Sequence, residues 1–256
     1  MNIIAIIPAR LNSSRFPGKP LKTIHGIPMI GHCYLRTSMC KDLSDTYVAT
    51  CDKEIYDYIT SIGGKSIMTD ISHDRASDRS AEAMHKIEKM TNKKVDIVVM
   101  VQGDEPMVTP KMISDSLVPL KTDKNINIVN LMAKINSIQE FEDPNEVKVV
   151  INKFDDAMYF SREPIPSRKK NTQQKSMLKQ VCIIPFRRDY LIRFNNTPET
   201  LTEMIESIDM MRVLENDEKV RMVMTQEDSF SVDTEEDLLK VEKFMINDDL
   251  MKKYIK

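Results

Sequence analysis

The sequence predicts an α/β protein, a mostly parallel sheet flanked by helices, with a smaller mixed or antiparallel lobe over about residues 126–190. Three observations carry that prediction. Short β-rich runs alternate with helical stretches through the first half of the chain, the pattern of βαβ units. Two of those runs, Ile3-Ile4-Ala5-Ile6-Ile7 and Ile97-Val98-Val99-Met100-Val101, are apolar throughout, as strands covered on both faces should be. Between 126 and 190, short strands succeed one another with fewer helices between them.

In chain order, residues 2–7 read as a buried strand, followed by a polar loop from Ala9 to Lys19 and a helix near 28–40. A strand at 45–50 precedes a helix near 53–62. Gly63-Gly64 punctuates the turn into a third strand at 65–68. A helix near 78–91 leads to the strand 95–101. Strands follow at 126–135, 146–152 and 156–160, then a flexible loop at 163–179 and an apolar run at 181–186. A helix over 200–214, a strand at 219–224 and an amphipathic helix over 234–246 complete the chain, and the charged residues 247–256 are expected to fray. The 256 residues are treated as one domain, because a chain of this length can bury a core without disulfides or metals.

Composition narrows function. With 37 basic and 39 acidic side chains the net charge is −2, which offers no global attraction to nucleic acid or anionic membrane. No apolar run approaches the ~20 residues that span a bilayer. The first run meets Pro8 and Arg10 and has neither the basic start nor the cleavage site of a signal peptide. Cys33, Cys40, Cys51 and Cys182 form no C-x-x-C pair and read as reduced thiols, so a cytoplasmic protein is expected.

Three segments carry chemistry. The loop after the first strand, Pro8-Ala9-Arg10-Leu11-Asn12-Ser13-Ser14-Arg15-Phe16-Pro17-Gly18-Lys19-Pro20, places three cations where ligands bind open α/β sheets. Forked arginine donors and a lysine point charge suit a polyphosphate. Taken alone, though, three scattered cations read first as a solvated basic loop, and the Walker spacing is absent. Val101-Gln102-Gly103-Asp104-Glu105-Pro106 puts carboxylates at the end of the fourth strand, as a Mg²⁺ site or equally as a strand-terminating turn. Val232-Asp233-Thr234-Glu235-Glu236-Asp237-Leu238 reads at face value as a helix start, with Asp233 or Thr234 as its cap.

Together these segments resemble the CMP-Kdo synthetases, the 3-deoxy-manno-octulosonate (Kdo) cytidylyltransferases. That family carries P-A-R-x-x-S-x-R-x-P-G-K-P, V-Q-G-D-E-P and V-D-T-x-x-D-L, matched here at 8–20, 101–106 and 232–238. Further echoes are Ala49-Thr50-x-Asp52, Asp78-Arg79, Pro144-Asn145-x-Val147-Lys148-Val149 and Tyr159-Phe160-Ser161-Arg162, so the resemblance spans about residues 2–245. It implies a Rossmann-like nucleotidyltransferase sheet, a homodimer, and transfer of CMP from CTP to a sugar acid with Mg²⁺ and release of pyrophosphate. It implies that Arg10, Ser13, Arg15 and Lys19 cradle the CTP phosphates, with Arg79 and Gln102 nearby, and that Asp104 and Asp233 hold the metal. Arg10, Lys19, Asp104 and Asp233 would be the catalytic set. Gln102, Arg162, Gln180, Glu203 and Glu206 would bind the acceptor, Arg162 facing its carboxylate. None of His25, His32, His73 and His85 belongs to a catalytic arrangement on this reading.

The acceptor half departs from the family pattern. Gln180, Cys182 and Ile184 stand where a histidine, a glycine and a tyrosine are usual, and Met210 replaces a glutamine. The loop His73-Asp74-Arg75-Ala76-Ser77-Asp78-Arg79 adds an arginine and removes a glycine. Kdo is the expected acceptor. The alternatives are a different acid (8-amino-Kdo, another keto-deoxy sugar acid or a phosphonate) and a nucleotide-binding protein without turnover.

Overall fold

The computed structural model describes residues 1–12, 15–168 and 177–255. A five-stranded sheet forms the main body. Its order is β11 (Ile183–Arg187), β6 (Ile97–Val101), β1 (Ile3–Ala9), β4 (Asp45–Thr50) and β5 (Ser66–Met68). All neighbours are parallel except β11, which runs antiparallel to β6. Because side chains alternate across a strand, the apolar run of β1 serves two cores at once. Ile4 and Ile6 pack with Met84 and Ile87 of α3 (Ala76–Thr91) and with Leu191 and Phe194 of α6 (Arg188–Asn196). Ile3, Ala5 and Ile7 pack with Ile30 and Cys33 of α1 (Met29–Ser38) and with Ile113 and Leu117 of α4 (Pro110–Thr122). A short hairpin, β2 (Thr23–Ile24) and β3 (Ile27–Pro28), precedes α1, and α2 (Lys53–Ser61) joins β4 to β5.

A second sheet has the order β12 (Arg221–Met224), β7 (Val129–Lys134), β10 (Leu178–Val181), β8 (Lys148–Ile151), β9 (Ala157–Ser161). It is antiparallel apart from the β7–β12 pair. The strands of the 126–190 segment therefore divide between two sheets, with β11 joining the main one and β12 arriving from beyond the segment. The sheets touch at the Ile128–Phe186 bridge. The short helix α5 (Ile138–Glu142) lies between β7 and β8. Of the loop expected at 163–179, residues 169–176 lie outside those described, and its last two residues are strand instead, opening β10.

Three expectations are corrected. The helix over 200–214 is two helices, α7 (Leu201–Glu206) and α8 (Met210–Glu215), broken at Ser207, whose φ of 54° is left-handed. No helix was expected at 110–122, yet Thr109 caps α4 by accepting from the Met112 amide at 3.2 Å, with Pro110 at its first position. Pro119 removes one donor within α4, and the burial of Met112, Ile113, Leu117 and Leu120 outweighs that loss. The final residues are anchored too. After α9 (Glu235–Met245), Asp248 pairs with the buried Arg36 at 3.0 Å and Met251 is buried. Apolar Met251 and aromatic Tyr254 outweigh the charges around them. No described helix is long and apolar enough to cross a membrane.

His32 is part of that anchor. Its Nε2 donates to the Ile24 carbonyl at 2.8 Å, so its Nδ1 accepts from the Tyr254 hydroxyl at 2.8 Å. Burial lowers its pKa to about 4. A depressed histidine pKa means that the unfolded chain binds the proton first. Stability from this site is therefore complete above pH 6.5 and falls by about 1.4 kcal/mol per pH unit toward pH 4. Thermal unfolding followed from pH 7 to pH 5 should show this slope in the wild type and a shallower one in His32→Gln. Equal slopes would remove His32 as the source.

Candidate active site

The site forms where the carboxyl ends of β1 and β6 meet. Gly103 follows β6, and a Cβ built there would lie 2.8 Å from the Pro8 carbonyl and 3.2 Å from Ile30 Cδ1. Only glycine lets the two strand ends approach so closely. Gly18 turns the β1 loop at φ 70°, and its amide closes the loop by donating to the Leu11 carbonyl at 3.0 Å. Asp52 holds the other limb, its Oδ2 accepting from the Leu11 amide at 2.7 Å. These constraints deliver Lys19 into a buried position beneath the loop.

Lys19 Nζ donates to Asp104 Oδ2 at 2.9 Å, to Asp233 Oδ1 at 3.2 Å and to the Val232 carbonyl at 2.7 Å. Burial opposes charging this amine, but Asp104 and Asp233 together raise its pKa above the ordinary value. The Val232 amide donates to the Asp104 carbonyl at 3.0 Å, so the second and third motifs are joined through their backbones as well. Thr234 performs the capping at α9. Its Oγ1 accepts from the Asp237 amide at 3.2 Å, while Asp237 Oδ2 accepts from the Thr234 amide at 2.9 Å. The Asp233 carboxylate is thereby left to face Lys19 and Arg15, whose Nη2 donates to it at 2.9 Å. Among the described residues, Asp104 Oδ1 is buried without a hydrogen-bond partner.

Two cavities meet at this cluster. The outer one, of about 320 Å³, is lined by five cations: Arg10, Arg15, Lys19, Arg75 and Arg79. Arg10 pairs with the exposed Asp74, at 3.1 Å. Arg79 is buried in the wall, its Nη2 donating to the His73 carbonyl at 2.9 Å and its Nη1 to Thr69 Oγ1 at 2.5 Å. The inner cavity, of about 160 Å³, includes Arg162, Gln180, Cys182, Ile184, Asp209 and Met210. Arg15, Gln102 and Asp104 border both cavities, whereas Asp233 faces the inner one.

The expected residues thus converge, with distinctions. Arg10, Arg15, Lys19, Arg79, Gln102, Asp104 and Asp233 surround the junction, while Ser13 lies outside the described residues. Arg162 lines the inner cavity, but its guanidinium is also structural. It donates to the carbonyls of Glu206 (2.8 Å), Pro144 (2.9 Å) and Ser207 (3.3 Å). Gln180 lines the cavity with its Nε2 held by Asn130 Oδ1 at 2.6 Å. Glu206 stands behind Arg162, accepting from its amide at 3.0 Å and from Ser161 Oγ at 2.9 Å. Glu203 reaches neither cavity: it is 0% exposed and bonded through both oxygens to Arg212, at 2.6 and 2.7 Å.

The structure adds residues to which the sequence assigned no role. Asn145 Oδ1 accepts from Arg15 Nη1 at 2.5 Å. Lys148, fully buried, donates to the carbonyls of Asp143, Glu146 and Arg162. Both belong to the Pro144–Val149 motif, which was the available signal. Glu105, beside Asp104, is pushed up to about 7 by burial and by its neighbour's charge. It accepts from Ser229 Oγ at 2.8 Å and from the Cys182 amide at 3.2 Å.

A mainly parallel sheet that presents a cationic loop after its first strand, opposite two carboxylates sharing one ammonium, has the layout of a nucleotidyltransferase. The sequence profile described as Cytidylyltransferase matches residues 4–220. The 3-deoxy-manno-octulosonate cytidylyltransferase of Geobacter metallireducens is 39% identical over 94% of this chain and 96% of its own. The protein of the same name from Thermodesulfovibrio yellowstonii is 39% identical over 95% and 98%. A solved CMP:2-keto-3-deoxy-manno-octonic acid synthetase, complexed with CTP, superposes with a TM-score of 0.86 at 36% identity, covering 96% of this chain and 98% of that one. The chain belongs to the cytidylyltransferase family and, within it, to the 3-deoxy-manno-octulosonate cytidylyltransferases.

Proposed function

We propose that the chain transfers CMP from CTP to the anomeric hydroxyl of Kdo and releases pyrophosphate. The observation that carries this reading is the Lys19–Asp104–Asp233 cluster, set where a cationic outer cleft opens onto a smaller inner cavity. Arg10, Arg15 and Lys19 take the polyphosphate in the outer cleft, and the acceptor occupies the inner cavity with its carboxylate toward Arg162. The hydroxyl then attacks the α-phosphorus in line as the bond to the bridging oxygen breaks. Charge accumulating on the departing pyrophosphate falls among these three cations. No covalent protein nucleophile takes part.

The donor set fits a hard divalent cation. Mg²⁺ is commonly held by one or two carboxylates plus substrate phosphates, and Asp104 offers a buried oxygen without a partner beside Asp233. Among the described residues, no three His, Cys, Asp or Glu side chains are grouped to hold a metal by themselves. Mg²⁺ on Asp104 and Asp233 would neutralise charge on the reacting phosphate.

The same reading places the reaction in the cytoplasm, where CTP is made and the four free cysteines stay reduced. It needs no nucleic acid or membrane partner. It also includes a homodimer, supported by exposed apolar side chains on and beside edge strand β9 (Phe154, Met158, Tyr159) and on α7 (Leu201, Met204, Ile205). Sedimentation should give twice the mass of one chain, and a monomer at assay concentrations would defeat that part.

Pyrophosphate release with CTP and Mg²⁺ tests the reaction, using Kdo, 8-amino-Kdo, N-acetylneuraminate and small phosphonates as acceptors. Turnover is expected with Kdo. Cys182, Ile184 and Met210 in the inner cavity favour a second reading, because aliphatic and sulfur side chains discriminate sugar hydroxyls poorly. Turnover with another acid but not Kdo would select it. Silence with every acid would defeat both readings.

A further inference from the structure

The added arginine of the 73–79 loop, Arg75, lines the outer cleft, and one of its contacts reaches a residue of the inner cavity. Its Nη1 donates to Asp209 Oδ1 at 3.2 Å and its Nε to Glu199 Oε1 at 2.9 Å. Ser77 Oγ, two residues along, donates to the other Asp209 oxygen at 3.0 Å. Asp209 lines the inner cavity and opens α8, just after the break at Ser207. That break is gripped from its other side by Arg162, through the carbonyls of Glu206 and Ser207. The start of α3 and the Arg162 guanidinium therefore clamp one short segment, 206–209, between them.

Resting on the acceptor assignment above, we propose that Arg75 is a positioning residue for the acceptor, holding the Asp209 carboxylate in the inner-cavity wall to receive hydroxyl groups of a polyhydroxylated acid. Each carboxylate oxygen can accept two hydrogen bonds. Arg75 and Ser77 fill one site on each, which leaves one per oxygen for ligand hydroxyls. Burial pushes the Asp209 carboxyl up, and Arg75 and then Ser77 oppose that, so the pair also favours the charged acceptor form. A phosphate-binding role fits the geometry less well. The Arg75 side chain is 21% exposed and faces three acids, Glu199 at 2.9 Å, Asp209 at 3.2 Å and Glu203 at 4.0 Å, whereas those of Arg10 and Arg15 are 42% and 49% exposed. To bind phosphate, Arg75 would have to leave carboxylates that lie away from the Asp104–Asp233 cluster, whereas the acids that hold Lys19 and Arg15 belong to that cluster.

Steady-state kinetics of the full chain, varying CTP and Kdo separately, decide the matter. Arg75→Ala should raise the KM for Kdo about tenfold, the scale of a lost charge-assisted hydrogen bond, with the KM for CTP within about twofold. Arg75→Lys, which keeps the charge and the fold, should recover part of the loss. Asp209→Asn should match Arg75→Ala, and the double variant should be no worse than either single one, as expected for residues acting as a unit. A rise in the CTP KM alone would make Arg75 a phosphate ligand and overturn the proposal. Two unchanged KM values, or additive losses in the double variant, would also overturn it. If the wild type releases no pyrophosphate with any acid, the reaction assignment has failed. Calorimetric Kdo binding to wild type and Arg75→Ala then decides the Arg75 claim on its own, equal affinities overturning it.

Discussion

Asp104→Asn and Asp233→Asn are each expected to lower pyrophosphate release by about 10³-fold or more while leaving the thermal midpoint close to wild type. The size follows from the several kcal/mol of charge stabilisation that a carboxylate-held divalent ion supplies, at 1.36 kcal/mol per tenfold. The fold should survive because asparagine keeps the shape and one acceptor oxygen. Lys19 also retains the Val232 carbonyl and the remaining aspartate in either variant. Loss of rate should be accompanied by a higher Mg²⁺ requirement, which separates a ligand from a residue that only packs. Near-normal turnover in either variant would remove that carboxylate from the metal set and leave it as a counter-ion for Lys19.

Much of this arrangement is legible in the sequence because its pieces are contiguous. The run at β1 is apolar at every position, and only a strand covered on both faces calls for that pattern. The glycine in Val101–Pro106 belongs to a strand terminus, and the structure supplies its reason in the approach to the Pro8 carbonyl. For Asp233 the sequence left two readings, cap or ligand. Hydrogen bonding removes the first, since Thr234 and Asp237 cap each other and leave the Asp233 carboxylate to Lys19 and Arg15.

What stayed hidden depends on contacts between distant parts of the chain. Arg75 meets Asp209 across 134 residues and Arg15 meets Asn145 across 130, so no spacing rule brings either pair together. The break at Ser207 is hidden for the same reason. Serine is no habitual left-handed residue, and the apolar and acidic positions from 200 to 214 read as one helix. Arg162, inserted from the end of β9, takes the carbonyls of Glu206 and Ser207 and satisfies the backbone that the break leaves unpaired. Tertiary hydrogen bonds thus override local propensity at a segment that lines the inner cavity.

Glu203 shows how a residue can sit in the right motif and serve the fold instead of the ligand. Glu203→Ala is expected to destabilise the protein by about 3–5 kcal/mol, the usual cost of leaving one half of a buried ion pair alone. For a chain of this size that corresponds to a fall in Tm of about 6–20 °C. Its carboxylate is held by Arg212 Nε and Nη2 and also accepts from the Thr200 amide at 3.3 Å, closing the N-terminus of α7. Arg212 in turn donates to the carbonyls of Phe194 and Thr197, both at 3.1 Å, so the loss spreads to the end of α6. At temperatures where the variant remains folded, its KM for the acceptor should stay within about threefold of wild type, as expected when no ligand contact is removed. Glu203→Gln, which keeps an acceptor oxygen for Arg212, should lose less. A stable Glu203→Ala with a strongly raised acceptor KM would reverse this assignment and return Glu203 to the acceptor site. The contrast with Asp209 follows from burial. Both acids face arginines of one cluster, but of the two only Asp209 also borders the inner cavity.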